Sequence, residues 1–158
     1  MKQTEIDNVQ RTFKQVAQIK EQAAELFYGR LFELNPALKK MFRSDIKSQG
    51  KKLMVALATV VAGLNNLDKI VPVVQSLGVK HVGYGVKPQD YDTVGAALIW
   101  TLEKGLGADF TPAVKDSWVA AYTLLAGVMK DAAKEDPIKD ELKVLMAQAF
   151  VFIQQKQR

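Results

Sequence analysis

Apolar residues recur along this chain at the spacing of a helix face. Leu53, Leu57, Val60, Val61 and Leu64 form one such run, and Val94, Ala97, Leu98 and Leu102 form another. Each run lines up its apolar side chains on one stripe of a helical cylinder. No sustained period-two alternation competes with them. The five prolines, at 36, 72, 88, 112 and 137, punctuate the pattern, and all but Pro72 stand where a helix can begin. In Asn35-Pro36, Thr111-Pro112 and Asp136-Pro137 a capping residue comes directly before Pro. Its side-chain oxygen can accept a free backbone N–H while Pro supplies a helical φ at the first position. Pro88 has no such cap but opens a similar run. The pattern predicts helices over 4–19, 21–34, 36–42, 46–65, 68–82, 89–105, 112–134 and 137–156, an all-α fold. Glycines 63, 83, 85, 105 and 107 fall at or near the predicted ends, as helix stops do.

Composition narrows the picture. A chain of 158 residues, 48% hydrophobic and 25% charged, can bury a core and is not of the disordered type. We expect one domain over 1–135 and a C-terminal helical extension over 136–158, packed on that domain or at a dimer contact. The absence of cysteine removes disulfides, thiolate metal sites, iron–sulfur clusters and a cysteine nucleophile. Neither a signal-type apolar run at the N-terminus nor a stretch of about 18 apolar residues occurs, so a cytoplasmic protein with no membrane association is expected.

The only histidine is His81. A lone histidine is commonly a surface or core residue. Leu77, four residues earlier, leaves the same helix face and can pack beside whatever His81 touches. One imidazole with no cysteine cannot assemble an ordinary zinc site. A cofactor that brings its own four equatorial ligands needs only one from the protein, and haem is that cofactor.

From about Leu26 to Ala132 the chain resembles the globins, in particular the full-length single-domain bacterial type and the globin domain of flavohaemoglobins. Pro36 with Phe42 six residues later is similar to the short third helix and the phenylalanine that stacks on haem. Gln49 stands at the distal position, Leu53 one turn further along, and His81 where the family places its proximal ligand. Tyr28 resembles the second-helix tyrosine of many bacterial globins, and Trp118 and Tyr122 the aromatic pair of the last core helix. The resemblance implies a three-over-three globin fold, haem b (iron protoporphyrin IX) and His81 as ligand of the iron. It also implies a cofactor envelope of Phe42, Lys52, Leu53, Leu77, Val86, Tyr91 and Leu98. Tyr28 and Gln49 would be the hydrogen-bond donors to a bound gas: O2, NO or CO. A plain structural reading stands beside each assignment: Phe42 and Leu98 as core, Gln49 as solvated, Tyr28 as a phenol bonded to backbone. Gly50 reads structurally in either case, since lacking Cβ it lets its helix cross the second helix near Ala24.

Two departures follow from the same resemblance. With no second histidine, bis-histidine iron is impossible within one chain, and Lys52 could become a sixth ligand only by losing its proton; pairing with a haem propionate or exposure to solvent is the simpler expectation. Tyr91 stands ten residues after His81, where flavohaemoglobins and their relatives place a proximal tyrosine. The position of the glutamate that accompanies it there falls at Ala133 or its neighbours Ala132 and Lys134, which argues against a strongly electron-donating, peroxidase-like histidine.

Lys39, Lys40, Arg43, Lys47, Lys51 and Lys52 stand against Asp45 alone in a chain of net charge +5. They suit a solvated face, propionate pairing or the steering of an acidic reductase; nucleic-acid binding is disfavoured because no exposed aromatics interleave with them. No GxGxxG or GxxxxGK[ST] pattern occurs, so turnover would require an external reductase. The leading expectation is an oxygen-binding or oxygen-transport globin, monomeric or homodimeric. The alternatives are a nitric oxide dioxygenase served by a separate reductase and, more remotely, a haem-free helical interaction module.

Overall fold

Six α-helices and two short 3₁₀ segments make up the computed structural model, which describes residues 1–42, 45–134 and Gln148. Helix α1 (Gln3–Gln18) buries Ile6, Val9, Phe13 and Val16 on one stripe, and the Lys2 backbone N–H donates to Glu5 Oε1 at 2.9 Å. Only Ile19 separates it from α2 (Lys20–Leu34), whose buried face carries Ala23, Ala24, Phe27, Tyr28 and Leu31. The expected Asn35-Pro36 start is present: Asn35 Oδ1 accepts from the Ala37 N–H at 3.2 Å. The turn it opens is a 3₁₀ segment, Pro36–Met41, rather than a full α-helix, as suits six residues burying one side chain, Leu38.

Helix α3 (Ile46–Ala62) starts on Asp45, whose Oδ1 accepts from the Lys47 N–H. It ends three residues earlier than the apolar pattern predicts. Gly63 sits against Ile70, where an added Cβ would lie 2.0 Å from Ile70 Cγ2, and the chain turns there. Helix α4 (Leu67–Gly83) runs through Pro72, which lacks the N–H that would bond the Asp68 carbonyl. Pro88 opens a turn rather than a helix: the Tyr91 N–H donates to the Pro88 carbonyl, and Asp90 Oδ2 accepts from the Lys87 N–H at 2.8 Å. Helix α5 (Asp90–Leu106) follows, then the 3₁₀ segment Gly107–Asp109. Helix α6 (Pro112–Lys134) begins at the expected Thr111-Pro112 pair, Thr111 Oγ1 accepting from the Val114 N–H at 3.3 Å. The expected helix over 137–156, and with it the proposed extension, lies outside the described residues.

The helices form two layers of three, α1, α3 and α4 over α2, α5 and α6. The main contacts between layers are α4 on α6, α1 on α6 and α3 on α2. Val9, Leu31, Leu64, Val74, Leu102 and Val114 are almost wholly buried between them. One polar tie runs through this core. Trp118 Nε1 donates to Thr12 Oγ1 at 2.9 Å, and the threonine hydroxyl donates to the Asn8 carbonyl at 2.7 Å, so neither polar group is left unpaired in the interior. None of the described helices is long and apolar enough to cross a membrane.

Glycine sets two of the crossings. A Cβ on Gly50 would stand 2.8 Å from Ala24 Cβ, the approach of α3 to α2 expected from the sequence. A Cβ on Gly78 would stand 2.4 Å from the Met129 carbonyl oxygen and within 3 Å of its backbone carbons, so α4 lies directly on the backbone of α6. Gly78→Ala should therefore lower the unfolding free energy by about 1–3 kcal/mol, the usual range for overpacking. Gly29→Ala, where the added Cβ meets nothing within 4 Å, should raise it by about 0.5–1 kcal/mol. Urea midpoints of the two variants check both signs, and an undiminished midpoint for Gly78→Ala would contradict the close crossing.

Candidate functional site

The two glycine crossings draw α3 and α4 toward different neighbours, and these two helices make scarcely any contact with each other. Apolar side chains along this part of the fold stay half-buried: Phe42, Leu53, Leu57, Leu77, Val86 and Val94. A folded core normally covers such groups, so their partial exposure fits a flat apolar body seated between the helices.

His81 lies in the last turn of α4. Its Nδ1 is 2.6 Å from the Leu77 carbonyl oxygen. A carbonyl can only accept, so Nδ1 carries a proton, and in the neutral ring the lone pair falls on Nε2. Nε2 has no hydrogen-bond partner among the described residues. The ring is half-buried and stands edge-on to Tyr84, centroids 5.9 Å apart. Just beyond, the Val86 N–H donates to the His81 carbonyl at 3.1 Å and folds the chain back under the helix end. No three His, Cys, Asp or Glu side chains cluster as a metal-binding set among the described residues. What the chain offers here is one imidazole nitrogen, which suits an iron that arrives already ligated by a macrocycle.

Tyr28 lies on α2. It is buried in an aromatic cluster, 5.2 Å from Phe42 and 5.1 Å from Phe27 between ring centroids, both edge-on, with Phe32 at 6.0 Å. Phe42 also meets Phe32 at 5.5 Å. The Tyr28 hydroxyl donates to the Gln49 backbone carbonyl at 3.3 Å, so two of the residues singled out in the sequence meet across the α2–α3 crossing that Gly50 permits. That bond is long for an O–H donor, leaving the hydroxyl free to turn toward a better acceptor. Burial pushes the Tyr28 phenol up to about 12, so it remains a protonated donor at any physiological pH. Leu53 is half-buried on α3 and Leu98 buried on α5, and with Phe27, Leu57, Leu102 and Trp118 they line a small apolar cavity. Lys52 is exposed.

Tyr91 is buried at the start of α5, where its carbonyl accepts the Tyr122 hydroxyl and Lys130 Nζ lies 6.0 Å from its ring centre. Burial raises both phenols, that of Tyr122 further through its proximity to Tyr91 and Asp92. Sequence reasoning missed Tyr84, Lys130 and the Gly78–Met129 crossing. Tyr84 stands one helical turn after His81, a spacing that could have found it; the other two depend on how α6 lies against α4 and α5.

Residues 25–129 match the family model described as Globin. The chain belongs to the globin family. Among curated relatives, this globin is 32% identical over 133 residues to a Flavohemoprotein of Bacillus subtilis (strain 168), covering 80% of this chain and 33% of that protein. It is 33% identical over 108 residues to one from Vibrio cholerae, covering 66% of this chain and 27% of the relative. A third, from Oceanobacillus iheyensis, is 32% identical over 112 residues, 69% of this chain and 28% of the relative. The globin thus spans about a third or less of the length of these relatives.

The Tyr28 phenol gives a pH signature. Its folded-state pKa stands above the ordinary phenol value of 10.0, so the native state keeps a proton that the unfolded chain releases. The stability this contributes is complete below pH 10 and is lost as pH rises through about 12. Subtracting the alkaline tyrosinate absorbance titration of Tyr28→Phe from that of the parent should leave one phenol ionising near 12. A difference centred near 10 would show that the hydroxyl is not buried as described.

Proposed function

We propose that this globin binds haem b between α3 and α4, with His81 Nε2 as the protein's ligand to the iron, and that it reversibly binds O2. Haem would supply a ferrous iron with one open position for O2, NO or CO. The observation that carries the reading is the state of His81: Nδ1 engaged by the Leu77 carbonyl, Nε2 unengaged, on a helix that stands apart from α3. The relatives' name, Flavohemoprotein, supports the haem assignment.

Each residue of the site has a task in this reading. The Leu77 carbonyl fixes the tautomer and orientation of the imidazole. Because that acceptor is a neutral carbonyl rather than a carboxylate, the imidazole gains little anionic character, which favours reversible binding over peroxide cleavage. Phe42, Leu53, Leu77, Val86 and Leu98 would cover the macrocycle and exclude water, with Tyr91 beneath the proximal side and Lys52 at the propionate edge. Tyr28 and Gln49 would donate to a polarised ligand. In a dry pocket one such bond is worth about 1.5–3 kcal/mol. O2 takes on negative charge and gains from it; CO gains less.

A second reading rests on the same relatives, whose name joins a flavin to a haem. The site would then carry out nitric oxide dioxygenation, NO and O2 with one electron giving nitrate, with an external reductase supplying the electron. The two readings share every residue and differ in the supply of reductant.

Absorption spectra of the purified protein, reduced and then exposed to CO, test the assignment. A Soret band that shifts with CO, and is lost or displaced in His81→Ala, is expected; no Soret band after haem addition overturns the reading in favour of a haem-free helical module. Tyr28→Phe should speed O2 release roughly ten- to hundredfold, the equivalent of that hydrogen bond, while CO release changes little. Equal effects on the two gases would remove Tyr28 from the donor role.

A further inference from the structure

The outward side of α3 gathers exposed cations around an exposed apolar side chain. Lys47, Lys51 and Val55 follow one another at four-residue spacing and are all exposed, Val55 at 67% the most exposed large apolar side chain among the described residues. Ser48 and Lys52 flank the stripe, and Lys39 and Lys40 stand exposed on the preceding 3₁₀ segment; Arg43, of the same basic run, lies outside the described residues. None of these five lysines pairs with a carboxylate among the described residues. Asp45, the acidic residue among them, is occupied at the Lys47 N–H as a helix cap. Placement adds to the oddity. The first turn of α3 holds no acidic residue and carries Lys47, although the positive end of a helix disfavours a cation by about 0.3–1 kcal/mol.

We propose that this face of α3 is the docking surface for an acidic one-electron carrier protein, the external reductant of the proposed haem site; the proposal rests on that haem reading. Unpaired cations around one exposed apolar side chain form the pattern of a steered, short-lived protein contact, in which charge speeds encounter and a small apolar centre fixes the pose. Nucleic acid fits less well, because no aromatic side chain is exposed on the stripe for a base to stack on. The geometry also suits electron transfer. Gln49 and Leu53, half-buried, belong to the same helix as the exposed lysines, so a carrier seated on the stripe is separated from the site by about one helix diameter, ~10 Å. In the step itself the reduced carrier loses one electron and ferric iron gains it, with no bond made or broken.

The test uses a reduced flavodoxin, an acidic flavin protein, as the carrier. Stopped-flow reduction of the ferric holoprotein should slow as salt is raised. The double substitution Lys47→Glu/Lys51→Glu should slow it about tenfold or more at low salt, the scale of electrostatic steering, and reverse the salt dependence. Lys14→Glu/Lys115→Glu, an equal charge change at exposed positions of α1 and α6, should have a much smaller effect, and Val55→Asp should weaken binding of oxidised flavodoxin in a titration that needs no haem. Equal slowing by the two double variants, or no slowing by either, overturns the docking surface. So does binding to phosphatidylglycerol vesicles, lost in Lys47→Glu/Lys51→Glu, by a protein that does not bind flavodoxin. A CO-sensitive Soret band in every variant keeps these failures separate from failure of the haem reading, which shows as its absence before any carrier is added.

Discussion

The contact of α4 with the backbone of α6 at Gly78 is the constraint on which the site depends. With no side chain between them, the helices meet at the Met129 backbone, and α4 is fixed along its length three residues before His81. On the other wall Gly50 does the same for α3 against Ala24. The two helices pack on α6 and α2 rather than on each other. A methyl group at either glycine would push a wall inward or loosen it, because a close-packed interior absorbs little added volume.

Around the proposed site the balance of polar and apolar groups is narrow. The aromatic rings of Phe27, Tyr28, Phe32 and Phe42 gather on α2 and the turn that follows it, and the phenol at their centre is held in its neutral, donating form by burial. On α4 the Leu77 carbonyl fixes a proton on the imidazole Nδ1. Few polar atoms in a dry setting make each one count for more, since low local dielectric strengthens a satisfied hydrogen bond and penalises an unsatisfied one. The outer face of α3 reverses this composition, with its cations in water and unpaired, so one helix serves the interior through Gln49 and Leu53 and the solvent through Lys47, Lys51 and Val55.

Much of the fold is legible in the sequence, and for local reasons. Six of the seven expected helices within the described residues form as α-helices, and the expected caps at Asn35 and Thr111 are bonds between near neighbours in sequence. The departures are local as well. The 36–42 element tightens into a 3₁₀ segment, α3 stops at Gly63 where Ile70 fills the space a Cβ would need, and Pro88 opens a turn instead of a helix. The Leu77–His81 spacing suggests side-chain packing; the stronger link is from ring to carbonyl across the same four residues.

Sequence by itself determined the helical class, the helix starts, the choice of His81 as the one imidazole available to a cofactor and the family to which the chain belongs. Those features rest on periodicity, capping and spacing, which act over a few residues. Tertiary structure alone decided that the Tyr28 hydroxyl meets the Gln49 backbone across 21 positions and that the Tyr122 hydroxyl meets Tyr91 across 31. It alone laid Gly78 on Met129 and left the lysines of α3 unpaired. Such contacts join segments whose separation in sequence carries no record of their distance in space, and they are set only when the layers close and each buried polar group must find its partner.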